Sequence, residues 1–144
     1  HPVFSPGSDR DNKELRELWK PILDEFKVDL VLSGHDHTYA RTGQVDSTDL
    51  KNVPSGYQQA YDPNIGTVHV VSVSGPKMYG ISKGNYAKRV AEDTQLYQII
   101  HINDKNLQYE AYEATGKLYD KFTLEKRDGM PNLLIEALPT ENRK

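Results

Sequence analysis

Two histidines placed two positions apart, His35 and His37, stand out within SGHDHTYAR (33–41) in a chain of 144 residues with only five histidines. Neutral imidazole is the commonest protein ligand for zinc, iron and manganese-type ions. On an extended backbone, side chains at i and i+2 occupy separate positions along one strand face, so the pair suits two adjacent metal ions better than one. An isolated H-x-H in a loop is more often a polar turn. Here its position argues for more. VDLVL (28–32) leads straight into it, and ligands of open α/β sheets gather beyond the carboxyl ends of the strands. Gly34 permits a tight turn or a close backbone approach at that end.

The elements around the pair follow from hydrophobic period. HPVFSPGS (1–8) is loop-like. In DNKELRELWKPILDEF (11–26), Leu15, Leu18, Trp19, Ile22, Leu23 and Phe26 fall on one helical face, and Asp11 with Glu14 fits a capping box. Pro21 lies inside that pattern and predicts a kink, or two short helices with Pro21 opening the second. VDLVL reads as a strand buried on both faces, as in a parallel sheet covered by helices. The helix before it would be a crossover from an earlier strand that is not in the sequence. The chain also opens on His1-Pro2 rather than methionine, and a piece of a longer protein is expected. TYARTGQV (38–45) predicts a short strand, and residues 46–66 a long polar loop. TVHVVSVSG (67–75) predicts a strand apolar on both faces, and 76–93 an irregular or partly helical stretch. TQLYQIIHI (94–102), NLQYEAYEA (106–114) and KLYDKFTLEK (117–126) predict an antiparallel meander turning at NDK and TGK.

Composition narrows the classes. Hydrophobic residues make up 36%, charged residues 27%, and the net charge is -3. No basic block offers a nucleic-acid footprint or a membrane-surface patch, and no apolar run approaches the ~20 residues of a membrane span. Cysteine is absent, which removes disulfides and thiolate metal sites and fits the cytosol or a periplasm equally well.

GHDHTYAR resembles the last metal-binding motif of the calcineurin-like metallophosphoesterases, above all the purple acid phosphatase branch, where Gly-His-x-His is followed by an aromatic residue and an arginine. HPVFS is similar to the preceding family motif, in which a ligand histidine stands two residues before a proline. The resemblance is specific over 1–41 and looser over 67–75 and 94–126. It implies an α/β fold: the C-terminal half of a four-layer α/β/β/α sandwich, with a mixed sheet and an antiparallel meander. Residues 1–126 would form this portion of the catalytic domain and 127–144 a partly ordered tail. It also implies two metal ions (iron, zinc or manganese) and a phosphoester substrate attacked in line by a metal-bound hydroxide. On this chain His35 would bind one metal and His37 the other, with Asp36 a spacer. His1 would be an active-site neighbour acting on the phosphate or leaving group, or itself a ligand. Arg41 would brace the loop or face the phosphate. The family's Asp-x-His, Gly-Asp and Gly-Asn-His motifs are missing, so the N-terminal half of the domain must supply them, and little activity is expected of these residues alone. A secreted or periplasmic location is implied by relatives that are exported.

Other residues have plainer readings. Lys77 and Tyr79 in SGPKMYG (74–80) follow a buried strand and could contact an anionic substrate, although a Gly-Pro turn also explains the segment. His69 and His101 fall inside predicted strands, where solvent-facing or satisfied polar positions account for them. The nine tyrosines suggest a half-buried sheet more than a carbohydrate-binding face. The competing functional reading is a non-catalytic β-rich binding domain whose H-x-H is incidental.

Overall fold

In the computed structural model, residues 1–7, 10, 12–45, 66–81 and 87–137 are described. The order is α1 (Lys13–Glu25), β1 (Leu30–Ser33), β2 (Tyr39–Val45), β3 (Thr67–Val71), β4 (Arg89–Ala91), β5 (Leu96–Asn103), β6 (Asn106–Glu113), β7 (Leu118–Glu125) and β8 (Leu133–Glu136). Two four-stranded sheets form, ordered β1-β3-β2-β4 and β5-β6-β7-β8. The first is mixed: β1 runs parallel to β3, while β2 is antiparallel to both β3 and β4. The second is an antiparallel meander. The expected α/β fold with a mixed sheet and a meander is therefore present.

Alternation on the strands stacks the layers. Tyr39, Val68, Val70 and Ala91 of the mixed sheet share a core with Leu96, Tyr109, Ala111, Tyr119, Phe122 and Leu124 of the meander. The other face of β3 carries His69, whose ring meets Phe4 at 4.9 Å. There α1 packs, Arg16 donating to the Val3 carbonyl at 3.0 Å and Lys20 Nζ to the Val45 carbonyl at 2.6 Å.

Several local expectations change. One helix runs through Pro21 without dividing. Pro21 and Glu17 are both exposed, so the carbonyl that loses its donor can turn to water. Asn12 is the N-cap, accepting from the Leu15 amide at 2.9 Å; Asp11, of the expected capping box, lies outside the described residues. The helix buries Arg16 and Lys20 and leaves Leu18 (62% exposed) and Phe26 (73%) outside. β1 is not buried on both faces: it pairs only with β3 and leaves Leu32 exposed. Within 76–93 the described part forms β4 and no helix. The long polar loop lies outside the described residues except for Gly66. Within 127–144, β8 pairs with β7.

Two buried polar features follow from this packing. Arg41, fully buried on β2, forks onto Asp120 (Nε to Oδ2 2.7 Å, Nη2 to Oδ1 3.0 Å) and onto Glu136 (Nη2 to Oε2 2.7 Å, Nη1 to Oε1 3.0 Å). Burial by itself would lower the guanidinium pKa, but the hydrogen bonds and charge of Asp120, then of Glu136, outweigh it and raise it. The Tyr39 hydroxyl donates to the same Asp120 at 2.7 Å. His69 is neither solvent-facing nor satisfied, contrary to its sequence reading. It is 4% exposed, and among the described residues neither ring nitrogen has a partner. Burial, then the charges of Lys20 and Arg16, push its pKa well below the usual histidine value.

Asp120→Ala leaves a buried guanidinium short of its main partner and should cost about 3–5 kcal/mol, read from the urea midpoint. For His69, the unfolded chain takes up a proton first as pH falls through about 6.5, because the folded pKa is depressed. Stability should then fall by up to about 1.4 kcal/mol per pH unit until the folded state also protonates. Denaturation midpoints compared at pH 7 and pH 5 should drop further for the wild type than for His69→Leu.

Candidate functional site

The carboxyl end of β1 delivers Gly34–His37 to the edge of the mixed sheet, and β2 starts two residues later at Tyr39. The bend between them is a γ-turn. The Asp36 amide donates to the Gly34 carbonyl at 2.8 Å across His35, whose φ is +68°. The unusual backbone angle thus falls on His35 rather than on Gly34, whose absent Cβ would meet nothing within 4 Å.

Three segments meet at this turn: 1–7 with Arg10, 34–38 and 75–81. The His1 and His35 rings lie 3.7 Å apart, centroid to centroid. His37 faces elsewhere, its ring 4.7 Å from that of Tyr79 and its Nδ1 2.7 Å from the Lys77 carbonyl. A carbonyl can only accept, so Nδ1 carries the proton in that bond, and in the neutral ring Nε2 keeps its lone pair. The Tyr79 amide donates to the His37 carbonyl at 2.9 Å, and Gly7 forms an antiparallel bridge with Ile81. These backbone links tie the three segments together.

Asp36, read from sequence as a spacer, is a tether. It is 2% exposed and accepts from Ser5 Oγ through Oδ2 and from Arg10 Nε through Oδ1 at 2.7 Å. Ser5 Oγ also accepts from the Gly7 amide at 3.1 Å. The hydrogen bond to Asp36 raises the Arg10 pKa above its ordinary value. The Arg10 guanidinium lies over the Tyr79 ring at 5.0 Å, and Lys77 Nζ lies 5.2 Å from the same centroid. Sequence reasoning missed Ser5 and Arg10. Residues 26 and 31 positions from Asp36, in a loop with no period, leave no local signal.

Of the sequence-named residues, His1 meets His35, and His37 meets Lys77 and Tyr79, two groups on either side of the turn. Arg41 joins neither. It is buried between the sheets, where it pairs with Asp120 and Glu136. His101 is exposed on β5. A cavity of about 740 Å³ opens at the opposite end of β1 and β3, lined in part by Asp24, Lys27, Asp29, Lys105 and Lys126. Ion pairs such as Lys126–Asp29 (2.9 Å) and Lys105–Asp128 (2.5 Å) occupy several of its charges, and it is remote from the imidazoles.

As a metal site, the donor set is partial. The Nδ1–carbonyl bond of His37 is the kind that orients a ligating imidazole. Yet among the described residues no group of three His, Asp or Glu side chains converges to hold a metal ion. Imidazoles fit a contribution to a centre, not a whole one.

No family model matches the sequence. The chain is 28% identical over 119 residues to probable inactive purple acid phosphatase 1 of Arabidopsis thaliana, a match covering 79% of this chain and 18% of that protein. It is 25% identical over 133 residues to purple acid phosphatase 7 of the same plant, covering 88% and 34%. An uncharacterized Mycobacterium tuberculosis protein is 31% identical over 80 residues, covering 51% and 15%. A purple acid phosphatase from yellow lupin (Lupinus luteus) seeds has a similar fold, with a TM-score of 0.58 at 20% identity, over 87% of this chain and 23% of that one. The chain therefore spans about a third or less of the length of each of these proteins.

Asp36→Ala should lower stability by about 1.5–3 kcal/mol, since it removes a buried ionic acceptor from Ser5 and Arg10, while Asp36→Asn should lose less. Guanidinium unfolding curves of the two variants give the comparison. In sequence this chain is similar to purple acid phosphatases, and it shares the fold of one of them.

Proposed function

We propose that this chain supplies the last ligands of a dinuclear centre that hydrolyses phosphoesters, with His35 for one metal, His37 for the other and His1 beside them. The observation that carries the reading is the His37 ring, held by the Lys77 carbonyl with Nε2 left to coordinate. Kinship with purple acid phosphatases supports the reaction class. The remaining ligands, bridging carboxylate included, would come from the part of a longer polypeptide that the relatives' extra length represents.

Each residue then has a defined task. His35 and His37 would hold the cations, iron, zinc or manganese, from surroundings that differ: His1 on one side, Tyr79 and Lys77 on the other. Asp36 fixes the turn between them from below. His1, exposed and against His35, is placed to approach the phosphate or its leaving group. Lys77 and Tyr79 line the substrate's approach. Metals held there would supply activated water and positive charge for phosphoester hydrolysis, in which one P–O ester bond is exchanged for one P–O bond to water and an alcohol and inorganic phosphate are released. Residues 1–126 with β8 would form one portion of the catalytic domain, in a secreted or periplasmic protein. Among the described residues no helix is long and apolar enough to cross a membrane.

A non-catalytic β-rich binding domain is favoured by one fact: the described residues assemble no three-donor site. Metal content and turnover decide between the two. The polypeptide carrying this chain should bind two metals and hydrolyse p-nitrophenyl phosphate. His37→Ala should lose metal and at least about 100-fold in kcat, on the scale of losing a ligand to a catalytic cation. Equal metal content and turnover in both proteins would refute the assignment.

A further inference from the structure

We infer that Arg10 is a substrate-contacting residue that selects phosphate monoesters over diesters at this site. The inference rests on the phosphoesterase reading above, and it assigns a task to a side chain that the reading leaves unused.

Arg10 is held at two points. Its Nε donates to the buried Asp36, the residue between the two proposed ligands, and its guanidinium plane lies over Tyr79. Tyr79 in turn rests against the His37 ring. A side chain with many rotamers is thereby kept one aromatic ring away from His37, with part of its ordering cost met before a ligand arrives. Nε is the only Arg10 nitrogen spent. Among the described residues no acceptor takes either Nη group, and the side chain is about one-third exposed. Arg41 is the contrast: all three of its nitrogens bond to carboxylates and it faces no solvent.

A free pair of guanidinium donors at a fixed position matches an oxyanion. Lys77 Nζ lies over the same tyrosine ring and forms no ion pair with a described residue, so a second cation stands nearby. Asp36 offsets one positive charge. The Glu92 carboxylate is engaged by the Ile81 amide at 2.9 Å on the far side of Gly80. A monoester brings three terminal oxygens and a second negative charge. A diester has two terminal oxygens and a carbon substituent where the third would be. Donors added beside a two-cation centre are therefore satisfied by the monoester and left unpaired by the diester.

The test is an NMR titration of the chain with inorganic phosphate and with dimethyl phosphate at pH 7.5, in chelator and again with added zinc. In chelator, phosphate should shift the Tyr79 ring and Arg10 Nε–H resonances and bind about tenfold more tightly than dimethyl phosphate, as one charge-assisted hydrogen bond would give. Arg10→Gln should bring the two affinities within about twofold, with the His37 Nδ1–H signal retained. Tyr79→Leu, which spares the Arg10–Asp36 bond, should lower the ratio at least threefold. No discrimination by the wild type overturns the proposal, as does an undiminished ratio in either variant. Loss of the His37 signal in Arg10→Gln would also overturn it, by making Arg10 a scaffold only. The chelator arm contains no metal, so failure of the metal assignment appears separately, as absent zinc uptake.

Discussion

A guanidinium cannot sit between two β-sheets without carboxylates around it, because an unpaired charge there costs several kcal/mol. Arg41 imposes this constraint. It belongs to β2, the strand that leaves the histidine turn. Its partners are Asp120 of β7 and Glu136 of β8, 79 and 95 residues further along the chain. The mixed sheet therefore reaches its place only when the meander is complete, including the strand from the C-terminal segment. The Tyr39 hydroxyl enters the same network, and burial raises its pKa so that it stays a donor. Hydrophobic burial drives the sheets together, and the ionic network specifies which residues meet.

The histidine turn inherits its position from that anchor. From Tyr39 onward the chain is fully buried in β2, while on the near side β1 is held only by β3. Between them the turn has little packing of its own. It depends on the Asp36 tether, the Gly7–Ile81 bridge and the Lys77 carbonyl. Polar contacts of this kind are directional, so they fix ring orientation more closely than apolar contacts would. The His1 and His35 rings remain accessible while Asp36, which tethers the turn, is covered.

The meander was legible because strict alternation and short polar turns at 103–106 and 113–117 constrain a chain to hairpins. The H-x-H at a strand end was equally legible, since that end of an open sheet is where ligands collect. Periodicity groups Leu15, Leu18, Trp19 and Ile22 on one helical face, but it cannot say whether that face meets the sheet. Here Arg16 and Lys20, whose long stems cover apolar surface while their heads reach carbonyls, take the inward position. Asp36 looked like filler because its partners lie in a preceding loop without pattern. His69 looked like a surface histidine because alternation on β3 gives no sign that a helix covers that face. In each case the missing information was long-range pairing, which local sequence does not encode.

The γ-turn at His35 carries one more consequence. A positive φ on a residue with a Cβ costs on the order of 1 kcal/mol or more, and glycine would relieve it with nothing nearby to resist the change. Optimising this chain for thermal resistance alone would thus favour replacing the imidazole at this position. On the proposed reading of His35 as a ligand, robustness and chemistry compete at a single backbone angle, and consensus-style stabilisation of such a domain would have to exempt that position.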